Sequence, residues 1–315
     1  MPALVPTLRT LLAQADAHFV DGRLGDALDA FDLLLERSQE RADRATQVVA
    51  RSMIARCLLR KRDVDGARTQ LQTAALLIDP VHLESHGRYR AGLARLALRE
   101  SMPEVAREEL RAYLQWAEEA RAHPEVVDAC LLLADQVDLA ERDEELNRRR
   151  LEERASWIQR GIEHAIAHDV GRRLGSAYND LAVALDQLSR PSAALEAYQE
   201  ALVSYRSYGT RRQLVGAAWA VGSSACRLED WPLARARLEE AIEGAERAED
   251  CPDLLALALV DLALVHEASG DVVDARRLVI RAVALAREQG LSQVWPARWT
   301  AMLDYARSLD LEIRG

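Results

Sequence analysis

The chain has 315 residues, 49% of them apolar and 29% charged, and its formal net charge at pH 7 is −10. This apolar fraction is enough to bury a core, which excludes an intrinsically disordered chain. The acidic balance argues against general nucleic-acid binding, because contact with a phosphate backbone requires a surplus of surface cations. No uninterrupted apolar stretch is long enough to span a bilayer. The sequence therefore predicts neither a nucleic-acid partner nor a membrane partner.

The cysteines indicate a reduced compartment. Cys57, Cys130, Cys226 and Cys251 are far apart in the sequence and form no CxxC pair. This spacing is typical of chains that keep their thiols reduced rather than of small disulfide-stapled domains. The first residues also lack the basic and apolar segments of a secretion signal. We therefore expect a cytoplasmic protein.

A repeated pattern of helix-forming segments runs along the chain. In each copy a small residue is followed by Ala twelve positions later, by a large apolar residue four positions after that, and by Ala or another apolar residue three further on. The spacing predicts two antiparallel helices, since facing small side chains let the backbones approach and the large residue fills the space one turn away. Six copies fit the pattern, and their small residues are Ala15, Ala55, Ala94, Ala182, Gly222 and Ala263.

Two segments within the repeats carry more specific predictions. Residues Ser101 to Glu104 predict a capping box at the start of a second helix. After Ala134 the matching alanine comes late, at Ala155, which predicts one overlong helix over about residues 143–168 with a charged start that projects into solvent. This start is either a solvated face or a functional protrusion.

The C-terminal segment from Ser292 to Leu309 predicts a single amphipathic helix. A terminal helix of this kind caps the last apolar face of a repeat array. The alternative is that Trp295 and Trp299 form an aromatic docking surface or the contact of a homo-oligomer.

The chain resembles the tetratricopeptide repeat family. The best-matching copy carries the family's residue types at Tyr178, Leu181, Ala182, Leu185, Ala194, Tyr198 and Ala201. The copies recur about every 40 residues rather than the family's usual 34 or so. This long period is similar to that of bacterial peptide-sensing regulators, the sensor domains of large activators, and adaptors such as kinesin light chain.

The resemblance implies an all-α fold: a right-handed superhelical solenoid of about seven antiparallel helix pairs plus a C-terminal capping helix. It implies one domain over residues 1–315. The expected repeats are 8–41, 48–80, 87–121, 124–168 with the overlong second helix, 175–207, 215–248 and 256–289, followed by the cap at 292–309.

The sequence contains no motif that marks a catalytic or cofactor site. It lacks a Gly-rich phosphate loop, a GxSxG, a CxxC pair and an HExxH. His82 and His86 are spaced to share a helix face, as are His164 and His168, but neither pair has an identifiable third ligand nearby in the sequence. We therefore predict no enzyme activity, no cofactor and no metal.

The resemblance also implies that the first helix of each pair lines a concave groove, with the residues around each small position facing it. In the second and third copies these positions are Ser52, Arg56, Arg60, Ala91, Arg95 and Arg99, and the four arginines among them form a basic strip. In the fourth and fifth copies they include the acidic residues Asp135, Asp138 and Asp186. A partner with an acidic and then a basic stretch would complement this order. The alternative is that these charges pair with one another inside the protein.

Three further groove positions are candidates for partner contacts. Asn179 carries an amide that can both donate to and accept from a peptide backbone. Trp219 occupies the matching position one copy later and could anchor an apolar side chain, and Arg227 lies two turns beyond it. Packing between neighbouring repeats is the alternative for Asn179 and Trp219.

These features together predict a non-catalytic scaffold that binds a peptide or a helix of a protein partner in its groove. One alternative is a regulatory sensor whose superhelix responds to a small ligand or a signalling peptide. Another is a structural subunit of a larger assembly.

Overall fold

In a computed structural model of the protein, the described residues, 6–20, 22–79, 82–137, 144–248 and 251–311, form helices and turns and contain no strand. The chain divides into two compact units, Met1–Asp138 and Leu139–Gly315, called here unit 1 and unit 2. No described helix combines the length and the apolar character needed to cross a membrane.

Unit 1 contains three helix hairpins and one further helix. The hairpins pair α1 with α2, α3 with α4 and α5 with α6, and the first helices α3 and α5 also pack on each other. The following helix, α7, packs against α6. The bounds are α1 Leu8–Val20, α2 Leu24–Glu40, α3 Arg44–Arg60, α4 Val64–Ala75, α5 Leu83–Arg99, α6 Pro103–Glu119 and α7 His123–Asp135.

Unit 2 begins with a helix longer than the others and continues with three hairpins. α9 pairs with α10, α11 with α12 and α13 with α14, and two C-terminal helices follow. The bounds are α8 Glu144–Ala167, α9 Leu174–Gln187, α10 Pro191–Tyr208, α11 Arg211–Arg227, α12 Trp231–Glu246, α13 Pro252–Ala268, α14 Val272–Glu288, α15 Leu291–Val294 and α16 Pro296–Ser308, with a 3₁₀ turn at Gly171–Arg173 between α8 and α9.

The repeat pattern marks the core. All twenty-four positions of the six copies are buried. Gly222 on α11 illustrates the close approach, because a Cβ added there would lie 2.7 Å from Cγ of Leu238 on α12. The large residue of the pattern therefore occupies the space that the small residue leaves, as the spacing predicts.

The hairpin turns share one geometry. One residue follows the end of the helix, the next adopts a left-handed conformation, and its successor begins the next helix as the N-cap. After α3, for example, Arg62 has φ +66° and the amide of Asp63 donates to the carbonyl of Leu58 at 2.9 Å. This is the Schellman arrangement, which satisfies carbonyls at the end of a helix. In four of the hairpin turns the left-handed residue is not glycine: Arg62, Ser101, Ser189 and Glu229. The same conformation follows other helices at Ala42, Arg121, Asp169 and Asp310.

The shared turn explains why the predicted capping box at Ser101 is wrong. Ser101 takes the left-handed turn position with φ +58°, so the N-cap of α6 is Met102, whose side chain makes no capping bond. A complete capping box occurs instead on α11, between Thr210 and Gln213. Four other helices are capped by the aspartates Asp43, Asp63, Asp230 and Asp271.

The overlong helix is confirmed over its described residues. α8 has 24 residues, whereas the hairpin helices have 12 to 18. Most side chains of its first turns are exposed, and the Nε of Arg149 lies 3.1 Å from Oε1 of Glu145. Residues 138–143, which include Asp138, lie outside the described residues.

The prediction of one C-terminal helix over 292–309 is wrong, because α15 and α16 are separate. Trp295, with φ −133° and ψ 67°, interrupts the helix directly before Pro296, as expected since proline disfavours a helical conformation of the residue before it. α16 packs on α14 and buries Met302, Ala306 and Leu309 in the core that contains Val279.

Candidate functional site

Two concave sites, one in each unit, are formed mainly by first helices of the hairpins. The site in unit 1, called here the arginine pocket, has a volume of about 340 Å³. Four of its lining side chains are arginines and the other four are apolar: Phe19, Arg56, Leu59, Arg60, Arg95, Leu98, Arg99 and Leu132. The structure thus brings together the four arginines of the predicted basic strip.

A buried carboxylate lies between two of these arginines. Asp128 on α7 accepts hydrogen bonds from Arg95 and, at 3.5 Å, from Nη2 of Arg56. Burial lowers the pKa of Arg56 to about 10, the charge of Arg95 adds to this effect, and Asp128 opposes it. Ion pairing inside the protein therefore neutralises part of the basic strip.

The other two arginines lie nearer to solvent. The guanidinium of Arg60 stacks over the ring of Phe19 with its Cζ 4.0 Å from the centroid, and its Nη1 donates to the backbone carbonyl of Phe19 at 3.4 Å. Arg99 is exposed at the end of α5, and Asp135 is exposed at the end of α7.

The prediction that two further residues face the groove is wrong. Ser52 and Ala91 are completely buried, and the hydroxyl of Ser52 donates to the carbonyl of Val48 at 2.7 Å. The helix face toward the pocket is therefore narrower in unit 1 than the pattern implied.

The site in unit 2, called here the aromatic groove, is larger, with a volume of about 620 Å³. Its walls come from α9, α11 and α13, with Tyr198 from α10, and the C-terminal helix α16 adds Arg298, Met302 and Tyr305. Apolar and aromatic side chains alternate with charged ones around it. Among the lining residues are Val183, Asp186, Trp219, Arg227, Val260, Asp261 and Leu264.

Trp219 is held by a half-buried carboxylate and covered by an arginine. Its indole Nε1 donates to Oδ2 of Asp261 at 2.8 Å. Burial raises the pKa of Asp261, while hydrogen bonds from Ser223 and Trp219 act in the opposite direction. The guanidinium Cζ of Arg298 lies 5.1 Å from the ring centroid of Trp219 and 5.5 Å from that of Trp295.

Asp186 and Arg227 form an ion pair across the aromatic groove. Nη2 of Arg227 lies 2.6 Å from Oδ2 of Asp186, and the hydroxyl of Tyr198 donates to the same oxygen at 3.2 Å. The sequence-predicted residues Asp186, Trp219 and Arg227 thus lie in one site. Asn179 is half-buried on α9 and is not among the residues described as lining the groove.

The two C-terminal tryptophans pack against the core of unit 2. The side chain of Arg287 approaches the ring of Trp299, with its Cζ 6.0 Å from the centroid, while Trp295 contacts Arg298. Both rings are half-buried.

Sequence reasoning missed the carboxylates that organise the two sites. Asp128 lies in the run Val126-Val127-Asp128-Ala129-Cys130, and Asp261 lies in Leu259-Val260-Asp261-Leu262-Ala263. A single acid within an apolar helical run is a signal of a buried and paired carboxylate, because an unpaired buried charge is costly. The sequence contains this signal at both aspartates, but it does not show which side chain each aspartate pairs with.

The histidines of the two spaced pairs lie at or near helix ends. His82 is the N-cap residue of α5. The rings of His164 and His168 lie 4.4 Å apart at the end of α8. His266 contacts Asp271, whose carboxylate caps α14.

Comparison with known proteins identifies the repeat. Residues 214–288, which span α11 to α14, match the model of the tetratricopeptide repeat family. No curated protein sequence matches this chain. The fold is similar to a STAND protein with a tetratricopeptide repeat sensor from Pyrococcus horikoshii, with TM-score 0.70 and 16% identity over 96% of this chain and 44% of that protein. The chain therefore spans less than half the length of that relative.

Two other solved structures are similar along most of their length. BtubC from P. vanneervenii has TM-score 0.59 and 20% identity, over 73% of this chain and 92% of that one. A Rap protein complexed with competence and sporulation factor has TM-score 0.53 and 12% identity, over 98% of this chain and 90% of that one. At these identities the likeness shows the fold. Residues 214–288 therefore match the tetratricopeptide repeat family, and the similar structures show that the chain has the corresponding fold of repeated helix pairs.

Proposed function

We propose that the protein is a non-catalytic interaction scaffold that binds a segment of a partner protein in the aromatic groove. The observation that carries this proposal is the composition of the groove, where partly buried apolar side chains lie between charged ones over about 620 Å³. Tetratricopeptide repeat proteins are in general scaffolds of this kind. The groove offers places for an apolar anchor and for charged groups beside it.

The groove has two chemically different parts. Val260 and Leu264, on one face of α13, provide an apolar surface for a side chain of the partner. Asp186 and Arg227 provide a charged edge. If each of them gave up its partner for an oppositely charged group of the bound segment, the groove would select segments by their charge. Asn179, on the same helix as Asp186, is proposed as a contact for the partner's backbone beyond the lined region.

The remaining sequence predictions stay part of the proposal. The four arginines of unit 1 and Asp135 are proposed as a second charged contact region. The partner is proposed to be a protein rather than a nucleic acid, in keeping with the net charge of −10. The four cysteines form no disulfide with one another, which supports a cytoplasmic location. A homo-oligomer through Trp295 and Trp299 remains the alternative for the C-terminal helix.

A regulatory sensor is the second candidate function. It is favoured by two of the similar structures, one described as having a tetratricopeptide repeat sensor and the other as a complex with competence and sporulation factor. In this version a ligand in the aromatic groove would act by shifting α16, since Arg298 and Tyr305 of that helix reach the groove wall.

The test uses two matched substitutions in unit 2. Partners captured from the native extract are identified by mass spectrometry, purified and titrated against the chain by calorimetry. Leu264→Glu places a charge in the groove, and we expect it to weaken binding by about tenfold or more, because a desolvated apolar anchor is lost. Val273→Glu places the same charge on the 72% exposed Val273 of α14 and is expected to leave binding unchanged.

Equal binding by the two variants, with unchanged melting temperatures, would place the partner outside the groove. Recovery of a bound small molecule without any protein partner would favour the sensor function instead.

A further inference from the structure

The arginine pocket of unit 1 has an unusual concentration of positively charged side chains. Four arginines line it, and no acidic side chain is among the described residues that do so. Asp128, behind the lining, forms ion pairs with the two arginines Arg56 and Arg95. The aromatic groove differs, because Asp186 and Asp261 lie beside Arg227 and Arg298 in its wall.

The arginines form two levels on the neighbouring helices α3 and α5. Arg56 and Arg95 form the inner level, and Arg60 and Arg99, each four residues later on the same helix, form the outer level. Residues four apart lie on the same helix face, so the two pairs of side chains extend in the same direction. The apolar side chains Leu59, Leu98 and Leu132 enclose them.

The inner level contains a donor that lacks an acceptor. Arg56 is only 8% exposed, and its Nε is buried without a hydrogen-bond partner in the described structure. A buried donor without an acceptor is unfavourable, and the lowered pKa of Arg56 reflects the cost of holding its charge there. An anion that entered the pocket would supply both an acceptor and a counter-charge.

We propose that the arginine pocket binds a phosphate group. Guanidinium groups match phosphate oxygens because their planar donor fork can form two parallel hydrogen bonds. A phosphate monoester carries up to two negative charges at neutral pH, which suits a pocket lined by four arginines better than the single charge of a carboxylate does. The phosphate site is separate from the aromatic groove and does not depend on what binds there.

Calorimetry on the full chain at constant ionic strength tests the proposal. Inorganic phosphate and O-phosphoserine are the probes, and acetate is the carboxylate control. We expect both phosphates to bind, and acetate to bind about tenfold more weakly or worse. A tighter fit for O-phosphoserine identifies a phosphorylated protein side chain as the natural source, and equal affinities identify a free phosphate group.

Two double variants locate the site. Arg60→Gln with Arg99→Gln removes the outer level and is expected to weaken phosphate binding at least about tenfold, because two charge-assisted hydrogen bonds are lost. Arg9→Gln with Arg111→Gln removes the same charge from two exposed arginines of unit 1 that do not line the pocket, and it is expected to bind as the wild type does.

Arg99→Gln alone provides a check if the double variant folds poorly, since Arg99 is exposed. Its phosphate affinity is expected to fall, while its melting temperature stays unchanged. Absence of phosphate binding, equal affinity for acetate, or the same loss in both double variants would overturn the proposal.

Discussion

Removal of Asp128 tests the interpretation that one carboxylate holds the arginine pocket together. Asp128→Ala leaves Arg56 and Arg95 without their shared acceptor. The side chains are 12% exposed for Asp128, 9% for Arg56 and 19% for Arg95. Breaking a buried ion pair by removing one partner costs about 3–5 kcal/mol, because the remaining charge is left uncompensated. Arg95 can move toward the pocket opening, so we expect a loss near the lower limit, about 3 kcal/mol.

Hydrogen exchange measured by mass spectrometry gives the free energy of opening for α3, α5 and α7 separately from unit 2. The control is Asp65→Ala, which removes a carboxylate that is 90% exposed beside Arg68 and should cost less than about 1 kcal/mol. A second variant combines Arg56→Met, Arg95→Met and Asp128→Leu. It should regain most of the loss, since apolar residues of similar volume can replace a buried ion pair. A loss below about 1 kcal/mol in Asp128→Ala would refute the reasoning.

Three further predictions concern packing, burial and protonation. Gly222→Ala should destabilise unit 2 by about 1–3 kcal/mol because its Cβ would overlap Leu238; Gly25→Ala, with open space around the added carbon, should be neutral or slightly stabilising in urea unfolding. Burial raises the pKa of Cys57 to about 11 and that of Cys226 to about 12, so both thiols should resist alkylation at neutral pH until urea is added; native labelling at the rate of a free peptide would contradict this. Trp219→Phe should cost about 1–3 kcal/mol at pH 7 by removing a donor to the Asp261 carboxylate. Because the folded pKa of Asp261 is raised, lowering the pH protonates it first in the folded state, so the difference between variant and wild type should shrink toward pH 4 or so in urea melts. A difference that stays constant over this range would contradict the assignment.

The sequence was most informative about the helix hairpins, because each of them has to meet the same packing requirement. Close packing of two helices demands a small residue opposite an alanine, and six copies of that requirement reveal the hairpins without any long-range information. The burial of Ala15, Ala94 and Ala263 follows from the pattern alone. The resemblance implied that Arg56 and Arg60 on one helix and Arg95 and Arg99 on the next occupy equivalent groove positions, and all four line the arginine pocket.

Contacts between distant parts of the chain could not be predicted in this way. Asp128 lies 72 residues from Arg56, and helical periodicity does not say which acid meets which arginine across that distance. Arg298 and Tyr305 reach the aromatic groove because a separate helix, α16, begins at Pro296 and packs against the other helices of unit 2. The error at Ser101 was local: its sequence fits a capping box, but the preceding helix requires that residue for its own termination.

The left-handed turn residues have a consequence for how this protein could be engineered. An L-residue other than glycine in that conformation carries a cost of about 1–2 kcal/mol, and residues such as Arg62 and Glu229 accept this cost at the hairpin turns. Neither of these two residues lines the arginine pocket or the aromatic groove. Glycine at such positions would raise the melting temperature one turn at a time, so thermal tolerance could be adjusted separately from recognition.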